Sequence, residues 1–169
     1  MKKTEKQVSQ KAVNENFKIT SQEKKTLQKI SHDVCNINVR LTPLRETVYL
    51  FVLRAGKKGI SAYQILDGMK EYYPNAKPAT VYRSLEYLQQ AELIEKIESK
   101  SKFVTKRLSG TVGVTLFMVC SNCGSVSEYN DYDADNYIEK KMAELGCIFF
   151  KKSVEISVIC PDCQKDEVS

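Results

Sequence analysis

The chain has 169 residues, of which 42 % are hydrophobic, enough for one substantial core or two small ones. No apolar run approaches the ~20 residues of a membrane span, and neither an internal repeat nor a low-complexity segment interrupts the sequence. The net charge of +5 is unevenly placed: residues 1–106 carry 20 Lys/Arg against 11 Asp/Glu, residues 107–169 only 6 against 10. A basic front half and an acidic back half lead us to expect that only the front meets a polyanion.

Residues 1 to 20 are polar and lysine-rich without a helical stripe and read as a flexible basic tail. The opening Met1-Lys2-Lys3-Thr4-Glu5-Lys6 lacks an apolar h-region, so a reducing, cytoplasmic location is expected. From Ser21, Leu27, Ile30 and Val34 mark a first amphipathic helix. On it His32, the sole histidine, and Cys35 stand at i and i+3; such a pair is more often incidental than a ligand set. Thr42-Pro43 starts a second helix, an N-cap residue followed by proline at the first helical position, with Leu44, Val48, Phe51 and Val52 inward and Gly56 past its end. Ser61 caps a third, with Ile65, Leu66 and Met69 inward and Pro74 as its stop. Pro78 opens a fourth, with Val81, Leu85 and Leu88 on one face.

After the fourth helix the period changes. Leu93–Ser99 and Lys102–Arg107 read as two short strands around a tight turn. Helices followed by such a hairpin describe a winged helix-turn-helix. Leu108–Val114, with two glycines and no charge, reads as a hinge. Beyond it, strands at Thr115–Cys120 and Ser125–Tyr129, a helix near Asp135–Leu145 ended by Gly146, and strands between Cys147 and Ile159 make a small α+β unit.

Two C-x-x-C pairs, Cys120/Cys123 and Cys160/Cys163, bracket that unit with 36 residues between them. Four thiolates in two close pairs suit a closed tetrahedral Zn²⁺ cage, which leaves no position for water and therefore supports structure rather than catalysis. The competing readings are two disulfides or a redox dithiol. The latter needs a helix starting at the motif, and the six residues after Cys163 are too few to build one. Cys35 and Cys147 are expected to be small buried hydrophobes.

With Val81 at the centre of the buried face of the fourth helix, Leu85 and Leu88 fall within about 40° of it, while Arg83 lies near 200°. Ala79, Thr80, Tyr82 and Arg83 thus face outward on the first turns, where a recognition helix reaches base edges. Arginine suits guanine because its planar fork donates two bonds to O6 and N7. Lys77 adds charge at the helix N-terminus, which itself favours phosphate. Lys100 and Lys102, at the tip of the wing, would lie against a phosphate strand.

The blocks Arg40-Leu-Thr-Pro-Leu-Arg45, Ile60-Ser-Ala-Tyr63, Lys77-Pro-Ala-Thr-Val-Tyr-Arg83 and Ile97-Glu98-Ser99, in that order, resemble the ferric-uptake-regulator family over residues 22 to 165. The similarity is greatest to its zinc-uptake branch. The resemblance implies a homodimeric repressor of metal-uptake genes that binds inverted-repeat operators in double-stranded DNA. The implied architecture is α+β: a winged-helix DNA-binding domain over 21–107, a hinge over 108–114, and a dimerisation domain over 115–165 holding one structural Zn²⁺ on Cys120, Cys123, Cys160 and Cys163. It assigns DNA contacts to Tyr63 and Arg83, and places Asp67 and Lys70 where branch members pair charges between neighbouring dimers. Neither an enzyme, a membrane partner nor a small-molecule substrate is implied.

The sensory metal site departs from the family pattern. Branch members build it from a histidine at the position of Glu95, a cysteine at Lys106, a histidine near Gly113 and a glutamate at Glu128, and only the glutamate remains here. A lysine ammonium at a ligand position repels a cation. Lys106 is expected instead to pair with Glu128 or Glu95 and to hold a DNA-competent arrangement without metal. Other readings are an all-oxygen site from Glu95, Glu98, Glu128 and nearby aspartates suited to Mn²⁺ or Mg²⁺, a redox switch that loses its zinc on oxidation, and a C-x-x-C thiol oxidoreductase.

Overall fold

The computed structural model describes residues 17–33, 41–107, 114–149 and 153–166. Four helices form its front half: α1 (Ser21–Asp33), α2 (Pro43–Ala55), α3 (Ala62–Met69) and α4 (Pro78–Gln90). Each start has a local cause. Thr20 and Glu23 exchange side-chain-to-amide bonds of 3.2 and 2.7 Å ahead of α1, and Ser61 and Gln64 form the same reciprocal box for α3. Pro43 and Pro78 occupy the first turns of α2 and α4. Thr42 sits at the N-cap of α2 in extended conformation without a side-chain bond, and Gly56 ends that helix at φ +54°.

Val48, Val52, Ile65, Met69, Val81, Leu85 and Leu88 meet in one core, with Leu44, Phe51 and Leu66 partly buried at its margin. Ordered packing begins before Ser21, contrary to a tail running to residue 20. Phe17 is 2 % exposed, with its ring 4.8 Å from Tyr72 and 5.6 Å from Phe51. Residues 1–16, Cys35, the side chain of His32 and the hinge positions 108–113 lie outside the described residues.

Strands β1 (Ile94–Ile97) and β2 (Lys102–Thr105) pair antiparallel as the expected hairpin, closed by a 3-10 turn at Glu98–Lys100 and left-handed Ser101. Its two faces serve different cores. Ile94 and Phe103 join the helices, while Ile97 and Val104 pack with Phe117, Val119 and Val126 of a second, three-stranded sheet. The hairpin is therefore sandwiched, which is why its strands lack a simple inward–outward alternation.

The second sheet has the order β4-β3-β5, with β3 (Thr115–Cys120) antiparallel to β4 (Val126–Tyr129) and parallel to β5 (Ser153–Val158). Helix α5 (Tyr132–Glu144) makes the crossover, capped by Asp131, whose Oδ1 accepts from the Ala134 amide at 2.9 Å. Cys147 is exposed rather than buried: it follows the positive-φ turn at Gly146 at the end of a helix with no buried residue. A short helix α6 (Pro161–Asp166) carries Cys163, so Gln164, Lys165 and Asp166, among the residues judged too few for a helix, do take part in one. Among the described residues, no helix is long and apolar enough to cross a membrane.

Candidate metal centre and nucleic-acid interface

The end of β3 and the turn after it deliver Cys120 and Cys123; the connection after β5 and α6 deliver Cys160 and Cys163. The sulfurs of Cys120 and Cys163 lie 3.8 Å apart and those of Cys123 and Cys160 3.7 Å apart, all four within 4.8 Å of one another. A regular tetrahedron with Zn–S bonds of about 2.3 Å has edges of about 3.8 Å. A disulfide would bring two sulfurs to about 2.05 Å, and all four thiols are free. The close contacts cross between the two C-x-x-C pairs, as a cage requires and a redox dithiol does not.

The surroundings suit thiolate. The amides of Cys123 and then Cys160 pull the Cys120 thiol down to about 6, with Cys160 N 3.4 Å from its sulfur. Ser125 Oγ, 3.1 Å from Cys123 Sγ, lowers that thiol as well. Cys163 is pushed up to about 12, first by Cys160 and then by burial and the other thiols. Four crowded sulfurs cannot all ionise alone, and a divalent cation removes that conflict. Zn²⁺ fits this donor set.

The carboxylates of the supposed second site do not gather. Among the described residues the four cysteines are the only cluster of metal-ligating side chains. Glu98 pairs with Lys96, Glu128 accepts the Arg107 amide at 2.8 Å, and Glu95 is 8 % exposed within β1. The expected partner of Lys106 is also corrected: its Nζ lies 3.4 Å from Glu92, across the end of the hairpin, and not on Glu128 or Glu95. A cavity of about 210 Å³ beside Glu128 is lined by Lys57 and Arg107 as well as Phe117 and Val126, so its cations outnumber its carboxylate.

The outward face of α4 is as the helical wheel places it. Tyr82 is 45 % exposed, Arg83 and Ala79 are exposed, and Thr80 is intermediate, its carbonyl accepting from Ser84 Oγ at 2.9 Å. Lys77 is the exposed N-cap. Tyr63, in the first turn of α3, is 76 % exposed. Lys100 is exposed in the hairpin turn, whereas Lys102 is half-buried and donates to the Lys58 carbonyl at 3.2 Å. Asp67 and Lys70 pair with each other at 2.9 Å on the surface of α3. Sequence reasoning missed Glu155 and Asp135, whose carboxylates accept main-chain amides from the hairpin and the start of β3. No spacing signals such bonds, because they join segments far apart in sequence that meet only on folding.

Among known proteins, the zinc uptake regulation protein of Escherichia coli (strain K12) is 35 % identical over 132 residues, covering 77 % of this chain and 76 % of that protein. The ferric uptake regulation protein of Bacillus subtilis (strain 168) is 28 % identical over 120 residues, 68 % and 80 % of the two chains. Among solved structures, a zinc uptake regulator complexed with zinc and DNA superposes with a TM-score of 0.79 at 28 % identity, over 89 % of this chain and 100 % of that one. Holo XcZur gives 0.74 at 27 %, over 83 % and 98 %. The sequence profile described as "Ferric uptake regulator family" matches residues 36–157, and this chain belongs to that family.

Proposed function

We propose that this chain is a sequence-specific DNA-binding regulator that represses metal-uptake genes, zinc-homeostasis genes foremost, from the cytoplasm. It acts as a homodimer on an inverted-repeat operator. Residues 21–107 bind DNA, with the packed segment from Phe17 attached; 108–114 act as hinge; 115–165 dimerise around one structural Zn²⁺ held by Cys120, Cys123, Cys160 and Cys163. Tyr82, Arg83 and Thr80 read bases, while Tyr63, Lys77, Lys100 and Lys102 meet the backbone. The observation that carries this reading is the solvent face of α4, a proline-started helix whose first turns expose Tyr82 and Arg83 opposite a buried Val81–Leu85–Leu88 stripe. Likeness to a regulator solved with zinc and DNA supports it. Dimerisation is supported by β5, which edges its sheet with Ile156 40 % exposed, and by exposed Leu145 and Ile148.

The sensory site of the zinc branch is degenerate here, and operator binding is independent of a regulatory metal. Lys106 at a ligand position, the engagement of Glu128 with an amide and the positive lining of the neighbouring cavity all support this. The test is zinc per protomer together with operator affinity in excess zinc and in a mild chelator that spares the cage. One zinc and unchanged affinity are expected; two zincs, or affinity that rises with metal, would sink metal independence.

A redox switch is the second reading, favoured by the exposure of Cys123 at the rim of the cage. Zinc release by a thiol reagent, followed by loss of operator binding, would support it. A thiol-oxidoreductase role does not accord with membership of a regulator family.

A further inference from the structure

One rung of the three-stranded sheet reads Glu128, Phe117, Glu155, since β3 Phe117 stands opposite Glu128 on β4 and Glu155 on β5. Paired residues in adjacent strands project from the same face, so this rung offers a phenyl ring between two carboxylates. Phe117, 1 % exposed, packs against Ile97 and Val104 of the hairpin. Each flanking carboxylate then takes main-chain amides from the same hairpin. Glu128 Oε2 accepts from Arg107 at 2.8 Å, just past β2. Glu155 spans the turn at the other end, Oε1 accepting from Glu98 at 2.6 Å and Oε2 from Ser99 at 3.2 Å.

The first amides of a 3-10 turn have no carbonyl partner within it, so they need an external acceptor. An ionised carboxylate is the strongest one available, its bonds roughly twice as strong as neutral ones. Asp135 Oδ1 does the same for the Val114 amide at 2.6 Å, where the chain enters β3. Two carboxylates of the acidic back half, Glu128 and Glu155, thus grip amides of the front half, while Asp135 fixes the entry to β3, and none of these bonds needs a cation.

We propose that Glu155 is a positioning residue for DNA binding. It fastens the hairpin turn to the sheet, and thereby fixes α4 relative to the dimerising half, the task a regulatory metal would otherwise perform. This rests on the DNA-binding reading above. Lys106 takes no part, being engaged by Glu92.

The experiment compares full-length, zinc-loaded wild type with Glu155→Ala and the milder Glu155→Gln. Amide hydrogen exchange at Glu98 and Ser99 is read without DNA. Affinity is read on an operator selected by the wild type and on the same operator with one base pair added between half-sites. Glu155→Ala should speed exchange at both amides at least ten-fold, with Glu155→Gln between it and wild type, since one neutral acceptor oxygen remains. Zinc content should stay at one per protomer. Affinity for the selected operator should fall about ten-fold in Glu155→Ala, and the preference over the lengthened operator should shrink, a change that mere loss of stability would not produce. Exchange unchanged in both variants would refute the latch whether or not the protein binds DNA. Faster exchange with unchanged affinity and spacing preference would refute the positioning role. Faster exchange in a protein whose wild type selects no DNA would overturn the regulator reading and leave the latch standing.

Discussion

Cys120 and Cys163, 43 positions apart in sequence, bring their sulfurs to 3.8 Å, the edge of a ZnS₄ tetrahedron. The contact ties α6 to the central strand of the three-stranded sheet, while Cys123 and Cys160 close the opposite edge. A Zn²⁺ held by these four thiolates would link α6 to the sheet.

The zinc should therefore be stoichiometric and indispensable to the back half. Structural zinc contributes on the order of 10 kcal/mol to folding in small domains. Cys163→Ser should abolish bound zinc and the cooperative melting of the sheet, while the helical core, which has its own cluster of buried side chains, keeps its far-UV signal. Zinc per protomer and melting followed by tyrosine fluorescence check this. Full zinc occupancy in the variant would discard the cage.

The recognition face makes a different prediction for each residue type. On the proposed reading, Arg83→Ala removes a bidentate base contact worth about 1–3 kcal/mol, so the preferred operator should bind roughly ten- to hundred-fold more weakly and discrimination should relax at one position. Lys77→Ala removes only charge. It should weaken all sequences alike and reduce the slope of log K against log salt by about 0.9. If the two variants behave identically across operators and salt, α4 is not the reading helix.

The four front helices were legible because their causes are local: a proline or capping residue at each start and a 3.6-residue stripe behind it. The cage was legible from spacing alone. What escaped depends on tertiary packing. Phe17 stands alone in a polar stretch, with no period to flag it, and is buried only because Phe51 and Tyr72 meet it there. The hairpin's second buried face answers to Phe117 and Val119, across the hinge. Lys106 was assigned the wrong glutamate because family position says which residues surround a site, whereas the bend between α4 and β1 decides that Glu92 is the one within reach.

That pairing lowers the expected importance of Lys106. The bridge is 3.4 Å long and the Glu92 side chain is 73 % exposed, so solvent screening limits it to less than about 1 kcal/mol. Lys106→Ala should change operator affinity by less than about three-fold, measured by fluorescence anisotropy at fixed salt. A larger loss would restore Lys106 as a stand-in for the missing cation.

The N-terminal attachment carries a pH signature. Arg54 Nε donates to Glu23 Oε1 at 2.7 Å, and Nη2 reaches both Oε2 at 3.2 Å and the Lys18 carbonyl at 2.7 Å. The guanidinium also lies 4.4 Å over the Phe17 ring. The Arg54 hydrogen bond, aided by Thr20 and opposed by burial, holds the Glu23 carboxyl down at about 2 against an ordinary 4.5. A folded-state value below the unfolded one means the unfolded chain binds the proton more readily, so acid favours unfolding. The stabilisation is fully present above about pH 4.5 and is lost as pH falls towards 2. Discounted for the half-exposed Arg54, it amounts to about 1 kcal/mol, or roughly 2–4 °C in Tm for a chain of this size. Glu23→Gln should melt that much below wild type at pH 7, and the gap should close as pH drops below 4.5. The difference between the two proteins is the quantity to follow, because acid also protonates the zinc-binding thiolates in both. A gap that is absent at pH 7, or that widens in acid, would show that Glu23 and Arg54 do not anchor the segment before α1.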